Sequence, residues 1–452
     1  MNNIIFLNHA CYLIETKKSI LIADPWVEGK SFNNGWSLID KSTSIRELIN
    51  FLEKKNKNIY IWYSHEHSDH FDVKFLRAIS QKKLNIKVIF QKTLDGRVAK
   101  FIRSLNIRVI ETSNKLEKID EEISIITFPY FGGDSYNLTI VNNYAILNLN
   151  DCVVSNENDA MKIKDNCLKY NNSVDLLMTQ FGYANWIGNK DDFNRRKKVA
   201  KKKYLRIKNQ NNIFNPEHIL LFASYIYFSH PENFFMNDMQ NTPEKLYNTL
   251  ELDHIKHKFL VLKPWDEIKL PLEKNSNYKT LSLENIYHWK KKFDSCFPDE
   301  IKDPQYSEEE IFLKYKEYRK KIFKNFLFLP KIFEKIKILS SLNIYVKDLR
   351  KAYKFSYLEN EIKNLNENEK VDIELSSATL IFLLKNDYGM NTTYVNSKFK
   401  VLSNNGENLF YRHFSPQEYM KNGWGLKHPY LSIKMLIFKL LDKVYKRKLI
   451  IK

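Results

Sequence analysis

The sequence predicts an α/β protein followed by a smaller α+β domain, and three observations carry that prediction. Short apolar runs alternate with helical periodicity through the first 270 or so residues, a knot of metal-ligand side chains follows one of those runs, and near residue 281 the texture changes to charged helical sequence. Alternating strands and helices are what layers of helix packed on sheet require. A chain of 452 residues is too long for one ordinary core, so the expected division is 1–275 for the large domain, 276–335 for a helical linker and 336–452 for the second domain.

β-rich runs open the chain at 4–7, 12–15 and 19–23, the last ending at Asp24-Pro25, and they read as an antiparallel meander. A helix is expected over 45–54 with Ser44 as its N-cap, and the apolar strand 59–63 then runs straight into histidines. Helices at 73–82 and 96–105 alternate with strands at 86–90 and 107–110. Strands follow at 123–128, 137–141 and 144–149, the last leading into Asn150-Asp151-Cys152. Beyond a helix at 156–170 come a strand at 174–178, a loop carrying Gly182, Tyr183, Trp186 and Gly188, a very basic helix, and a strand at 219–223 that leads to His230. Pro298, Pro304 and Pro330 punctuate the linker; strands return between 340 and 415, with a helix at 377–385.

Lys and Arg total 72 against 53 Asp and Glu, a formal charge of +19. That balance favours anionic partners such as phosphates, nucleotides, nucleic acid or membrane surfaces, with an anionic small-molecule substrate the one expected, although the accompanying richness in Lys, Asn, Ile and Tyr accounts for it equally well as a coding bias. No nucleic-acid recognition module is visible. Cys11, Cys152, Cys167 and Cys296 form no C-x-x-C pair, which excludes a zinc ribbon or a Cys-ligated iron–sulfur centre and fits a reducing cytoplasm. Neither a signal peptide nor a stretch of about 18 uninterrupted apolar residues is present, so a cytoplasmic location is expected.

The run Ser64-His65-Glu66-His67-Ser68-Asp69-His70 concentrates four good ligands within six positions at a strand exit. Imidazole and carboxylate suit zinc, iron and manganese alike. Glu66 is expected to project away from both flanking histidines, and His254, His257, His288, His413 and His428 are left as ordinary histidines.

The pattern His65-x-His67-x-Asp69-His70 resembles the signature of the metallo-β-lactamase superfamily, whose fold is an αββα sandwich. That resemblance implies that His65 and His67 hold one metal, Asp69 and His70 a second, Asp151 bridges both, and His230 completes the second site; Asp69 and Asp151 would act closest to the reacting atoms. The segments HACYLIE, ADPWVEG with GWSL, NDC and ASYIYFSHPENFF are similar to the catalytic part of CMP-N-acetylneuraminate hydroxylase and its bacterial relatives over roughly residues 5–250. The implied activity is a di-iron oxygenase acting on an amino-sugar or nucleotide-linked amide.

Two departures qualify that likeness. This sequence has no counterpart of the hydroxylase's Rieske domain, so oxygenation implies a separate ferredoxin or Rieske-type electron donor. The superfamily's third histidine for the first metal is missing too: the region reads Pro129-Tyr130-Phe131-Gly132-Gly133-Asp134-Ser135, leaving Asp134 as the preferred replacement and Tyr130 as the alternative. A carboxylate there resembles the di-iron β-hydroxylases of antibiotic biosynthesis, and oxygen ligands favour iron, with zinc or manganese as alternatives for the two divalent ions. The competing readings are a hydrolase, phosphodiesterase or amidase, using a metal-bound hydroxide, and a non-catalytic binding protein with a degraded metal site.

Residues 194–208 set nine cations on one helix, from which Arg195 and Arg196 are expected to meet a phosphate-bearing substrate, with Tyr183 and Trp186 stacking on a base or sugar. His9 is a further candidate to face the site. The composition of 428–452 allows a basic amphipathic helix in peripheral contact with an anionic membrane, docking on the protein itself being the alternative. Residues 376–400 faintly resemble a sterol-carrier-like α+β module.

Overall fold

The computed structural model describes all residues except 1, 94, 155, 274–277, 367, 422–424, 426–428, 431–432 and 434–452. Apart from Pro429, Tyr430 and Ile433, the basic tail therefore lies outside the described residues. The chain divides into two compact units, Met1–Asp299 and Glu300–Lys452. The segment expected as a linker is split between them: helix Tyr278–Asp294 belongs to the first unit, and helices Glu308–Phe326 and Leu329–Lys335 to the second.

Two seven-stranded sheets form the centre of the first unit. One runs Glu267–Leu270, Asn2–Asn8, Cys11–Glu15, Ser19–Ala23, Asn58–Tyr63, Ile86–Gln91, Arg108–Thr112; the other runs Phe259–Leu260, His218–Phe222, Leu176–Gln180, Tyr144–Asn148, Ser135–Val141, Ile123–Pro129, Leu116–Lys118. Strand Asn58–Tyr63 shows why these runs read as continuously apolar. Its Ile59, Ile61 and Tyr63 pack against helices Ile45–Lys55, Val73–Ser80 and Arg97–Ser104, while Tyr60 and Trp62 point into the layer between the sheets. A third cluster, with Leu138, Leu147, Leu177, Ile163 and Phe214, joins the second sheet to helices Glu157–Leu168 and Phe193–Phe214. Helix, sheet, sheet, helix is the observed layer order.

Local signals set the boundaries of these elements. Ser44 caps helix Ile45–Lys55 and forms a capping box with Glu47, and Asn56 ends it in the left-handed conformation at φ 49°. Asp72 caps helix Val73–Ser80 through the Lys74 amide. That cap places the histidine loop 64–70 between a strand end and a helix start, so both of its flanks are anchored.

The second unit is α+β. Its five-stranded sheet runs Lys363–Asn364, Lys351–Phe355, Leu342–Val346, Ile373–Leu375, Phe399–Val401, accompanied by helices that include Ser377–Lys385 and Gly406–Lys421. Among the described residues, no helix is long and apolar enough to cross a membrane.

Candidate metal centre

Five chain reversals at one end of the two central sheets deliver the ligand-type side chains. His9 follows strand Asn2–Asn8, Asp24 follows Ser19–Ala23, the 64–70 loop follows Asn58–Tyr63, Asp134 precedes Ser135–Val141, and Asp151 lies just past Tyr144–Asn148. Several of these turns hold unfavourable backbone. His9 (φ 28°), Asp24 (φ 40°), Asn150 (φ 48°) and Ala223 (φ 45°) all have positive φ, and Ala223 donates its amide to the His9 carbonyl at 2.8 Å. Strained positions gathered at one sheet end persist only where the surrounding structure over-determines them, and they mark functional sites more often than structural ones.

Three ligand groups overlap there, each with one donor atom per residue and all donors within 4.8 Å of one another: His65, His67 and Asp134; His65, His70 and Asp151; His9, Asp69 and His70. His65 Nε2 lies 2.8 Å from His67 Nδ1 and 3.8 Å from oxygens of both Asp134 and Asp151. His70 Nε2 lies 3.3 Å from Asp69 and 3.5 Å from Asp151, and His9 Nε2 is 3.4 Å from Asp69. Asp151 thus stands between the two histidines, as a bridging ligand must.

The donor atoms are oriented from behind. Asp24, wholly buried, accepts hydrogen bonds at Oδ1 from the Ser64 amide (2.8 Å) and at Oδ2 from the Ser64 hydroxyl (2.7 Å), His70 Nδ1 (3.0 Å) and Asn150 Nδ2 (2.8 Å). Since a carboxylate only accepts, the Nδ1 proton of His70 is fixed and Nε2 faces the cluster. The Ser64 hydroxyl likewise lies 2.9 Å from His65 Nδ1. Gly132 (φ 85°) and Gly133 (φ 94°) form the tight turn before Asp134, and Gln91 donates to the carbonyls of both Gly133 and Ser64. On the far side Gln180 donates to Asp151 Oδ1 at 3.0 Å.

Electrostatics agree with this geometry. Burial raises the Asp69 carboxyl, but the adjoining His70 and His9 outweigh it and hold the group well below the usual carboxylate range. Asp151 behaves alike: against burial, His70 and then His65 draw it down to about 2. Burial opposes charge on His70, yet Asp69, Asp151 and Asp24 raise it well above an ordinary histidine.

The donor set fits divalent ions. His9 Nε2, His70 Nε2 and Asp69 Oδ1 are buried without hydrogen-bond partners, and burying three such polar atoms together is costly unless a ligand satisfies them. A cavity of about 10 Å³ lies beside them, lined by His9, Asp69, Gln180 and Tyr183 among others, which is roughly the room one water needs.

Seven residues were expected as ligands, and six of them come together: His65, His67, Asp69, His70, Asp134 and Asp151. His230 does not join the groups around the histidine loop; the histidine gathered with Asp69 and His70 is His9. Tyr130 donates its hydroxyl to the Val153 carbonyl at 3.2 Å. Arg196, expected to meet substrate, is fully buried and makes four hydrogen bonds, two to Asp238 and one each to the Asn189 and Lys190 carbonyls. Trp186 is buried with the exposed Arg195 guanidinium 4.9 Å from its ring centre, while Tyr183 is buried and donates its hydroxyl to the Met236 carbonyl. Sequence reasoning overlooked Asp24 and Gln180. The only signal for Asp24 was its position before Pro25 at the end of a strand.

Comparisons with known proteins agree with this architecture. A family model described as a beta-lactamase superfamily domain matches residues 3–194. The chain is 33% identical over 85 residues to the cytidine monophosphate-N-acetylneuraminic acid hydroxylases of Cricetulus griseus and Mus musculus, and 31% identical over 88 residues to that of Xenopus laevis. Those stretches are 19–20% of this chain and only 14% of each relative's length. Among solved structures, CmlA, a diiron beta-hydroxylase from Streptomyces venezuelae, aligns over 60% of this chain and 54% of its own with 11% identity and a TM-score of 0.38. The short form of human tRNase Z aligns over 60% of this chain and all of its own, with 13% identity and a TM-score of 0.36. The layer order, the histidine loop at the sheet end and the matched model lead to one conclusion: the first unit has the metallo-β-lactamase fold, and its residues 3–194 match the beta-lactamase superfamily domain.

Proposed function

We propose that this chain is a metal-dependent oxygenase that hydroxylates an anionic amide, of the amino-sugar or nucleotide-linked class, at a two-ion centre. One observation carries the reading: the third donor beside His65 and His67 is the carboxylate of Asp134, which makes this group richer in hard oxygen and better suited to iron than an all-imidazole group. The partial likeness to N-acetylneuraminic acid hydroxylases supports the same chemistry and suggests the substrate class.

His65, His67 and Asp134 would hold one ion, His9, Asp69 and His70 the other, with Asp151 shared between them. When bound, such ions supply Lewis acidity and, as iron, the means to reduce dioxygen. The protein's own contribution is positional. Asp24 and Ser64 fix the imidazole protons, Gln180 fixes Asp151, and the small pocket beside His9, with room for about one water, limits access of solvent to the reacting face. Hydroxylation inserts one atom of dioxygen into a C–H bond and releases the other as water, consuming two protons and two electrons; a separate ferredoxin or Rieske-type protein supplies the electrons.

Metal analysis of anaerobically purified protein, followed by oxygen uptake with reductant and candidate amides, tests the proposal. Iron-dependent, reductant-dependent uptake is expected. Stoichiometric zinc, with phosphodiester or amide hydrolysis that persists without oxygen, replaces it with the hydrolase reading.

A further inference from the structure

Helix Phe193–Phe214 turns a mixed face inward, burying Arg196, Ala200, Lys203, Ile207, Gln210, Asn211 and Phe214. Two of its polar side chains are fully accounted for. Arg196 is bound by Asp238, and Gln210 accepts from Thr179 and donates to the Val154 carbonyl. Lys203 and Arg206, one turn apart, are different. Lys203 is 8% exposed, and its ammonium has one hydrogen bond, 2.8 Å to the neutral Gln180 Oε1. Arg206 Nε is buried with no partner, and the guanidinium forms no ion pair among the described residues.

A buried ammonium next to a half-buried guanidinium, with no carboxylate in hydrogen-bond contact with either, is expensive in a folded protein. Asp151 attracts the Lys203 ammonium without a hydrogen bond to it: its Oδ1 is taken by Gln180, and its Oδ2 faces His65 and His70. Burial and then the Arg206 charge pull the Lys203 ammonium down to about 7 against the attraction of Asp151. Placement is the second argument. Gln180 touches Lys203 on one side and Asp151 on the other and also lines the cavity that contains His9 and Asp69, so these cations sit one side chain away from the ligand cluster.

We infer that Lys203 and Arg206 form an oxyanion subsite beside the metal-ligand cluster, with Gln180 as its inner wall, and that it takes a carboxylate or phosphoryl group of the substrate. Calling that group part of the substrate rests on the proposed function; the anion site itself does not. A planar guanidinium and a point-charge ammonium together bind an oxyanion from two directions, which fixes the position of the rest of the molecule relative to Asp151. The subsite explains why this face of a strongly basic helix is buried, where solvated lysines alone would stay outside.

The test uses the full chain, both with its ions and after chelation, titrated with inorganic phosphate and, separately, acetate while heat stability and binding heat are followed. The wild type is expected to be stabilised by one or both anions in both metal states, and the stronger of the two identifies the group. Lys203→Met and Arg206→Met are each expected to weaken that binding by about tenfold. In anion-free buffer Lys203→Met should melt at or above the wild-type temperature, because a buried charge without an ion-pair contact has been removed, and Arg206→Lys should retain part of the binding. Anion binding of equal strength in the wild type and the double Met variant, or no binding of either anion by chelated wild type, overturns the subsite. Failure to detect oxygenation while the anion result stands overturns only the functional proposal.

Discussion

Asp24→Asn changes one atom and tests how the centre is held. In the wild type, Oδ1 accepts from the Ser64 amide and Oδ2 from the Ser64 hydroxyl, His70 Nδ1 and Asn150 Nδ2. An asparagine that keeps its oxygen on the Ser64 amide presents an NH2 group to the other three. The Asn150 amide then meets a donor where it had an acceptor. His70 can keep this contact only by accepting at Nδ1, which moves its proton to Nε2, the atom that faces Asp69 and Asp151. A protonated Nε2 cannot ligate, so an ion proposed to sit on His9, Asp69 and His70 would be bound more weakly while the His65, His67 and Asp134 group keeps its donors. Losses of this kind run to about 10–100-fold in metal affinity, or ~1.4–2.8 kcal/mol. The donor conflict at Asn150 adds about 1–3 kcal/mol of lost fold stability. Competition titration against a chromophoric chelator reads the two ions separately, and urea unfolding reads the second effect. Two ions bound as tightly as in the wild type would show that Asp24 does not set the His70 tautomer, and the account of the centre would fail with it.

Asp134→His restores an imidazole beside His65 and His67, and the iron-to-zinc ratio of protein purified from mixed-metal medium should fall on the order of tenfold as the donor softens; elemental analysis reads it. Arg196→Ala strands Asp238 and leaves a void under helix Phe193–Phe214, costing about 3 kcal/mol in urea unfolding while activity per folded molecule stays near normal, because this arginine is bound within the protein. In the second unit, burial pulls His413 down to about 4 as it stacks between Tyr315 and Tyr357, its Nδ1 2.7 Å from the Ser340 carbonyl. Its folded value lies below its unfolded one, so its contribution is complete above about pH 6.5 and declines as pH falls toward 4, by roughly 3 kcal/mol. Unfolding of wild type and His413→Gln across that window should therefore differ in pH slope, and parallel slopes would refute the assignment.

The first unit was largely legible because its central strands are buried on both faces. Runs such as 59–63 and 144–149 are apolar without interruption, and the helices between them have caps that can be read locally, as Ser44 shows. Strands Phe259–Leu260 and Glu267–Leu270 escaped because one is two residues long and the other is an edge strand with alternating exposure. The metal cluster divides along the same line. Four ligand-type residues sit within one loop and announce themselves by spacing, whereas Asp134, with Tyr130 as the alternative, was expected only through the superfamily resemblance. The choice between His9 and His230 depends on which strand end reaches the loop, which is a matter of long-range pairing. His9 is brought beside the loop by contacts such as the Ala223 amide on the His9 carbonyl, to which no sequence interval corresponds.

Helix Phe193–Phe214 explains the remaining misjudgement, and it shows what a basic run conceals. Its inward positions 196, 200, 203, 207, 210 and 214 advance by alternating steps of four and three, the spacing of one helical face. Half of them are Arg, Lys and Gln, so hydrophobic periodicity is lost and every cation looks equally solvated. Burial sorts them into unlike roles: Arg196 is committed to Asp238 across 42 residues of sequence, Arg195 stays at the surface over Trp186, and Lys203 is drawn toward the ligand cluster through Gln180. Charge composition, then, reports that anions are welcome near this helix, but only the period of the helix combined with its partners singles out Lys203, with Arg206 one turn on, to receive one.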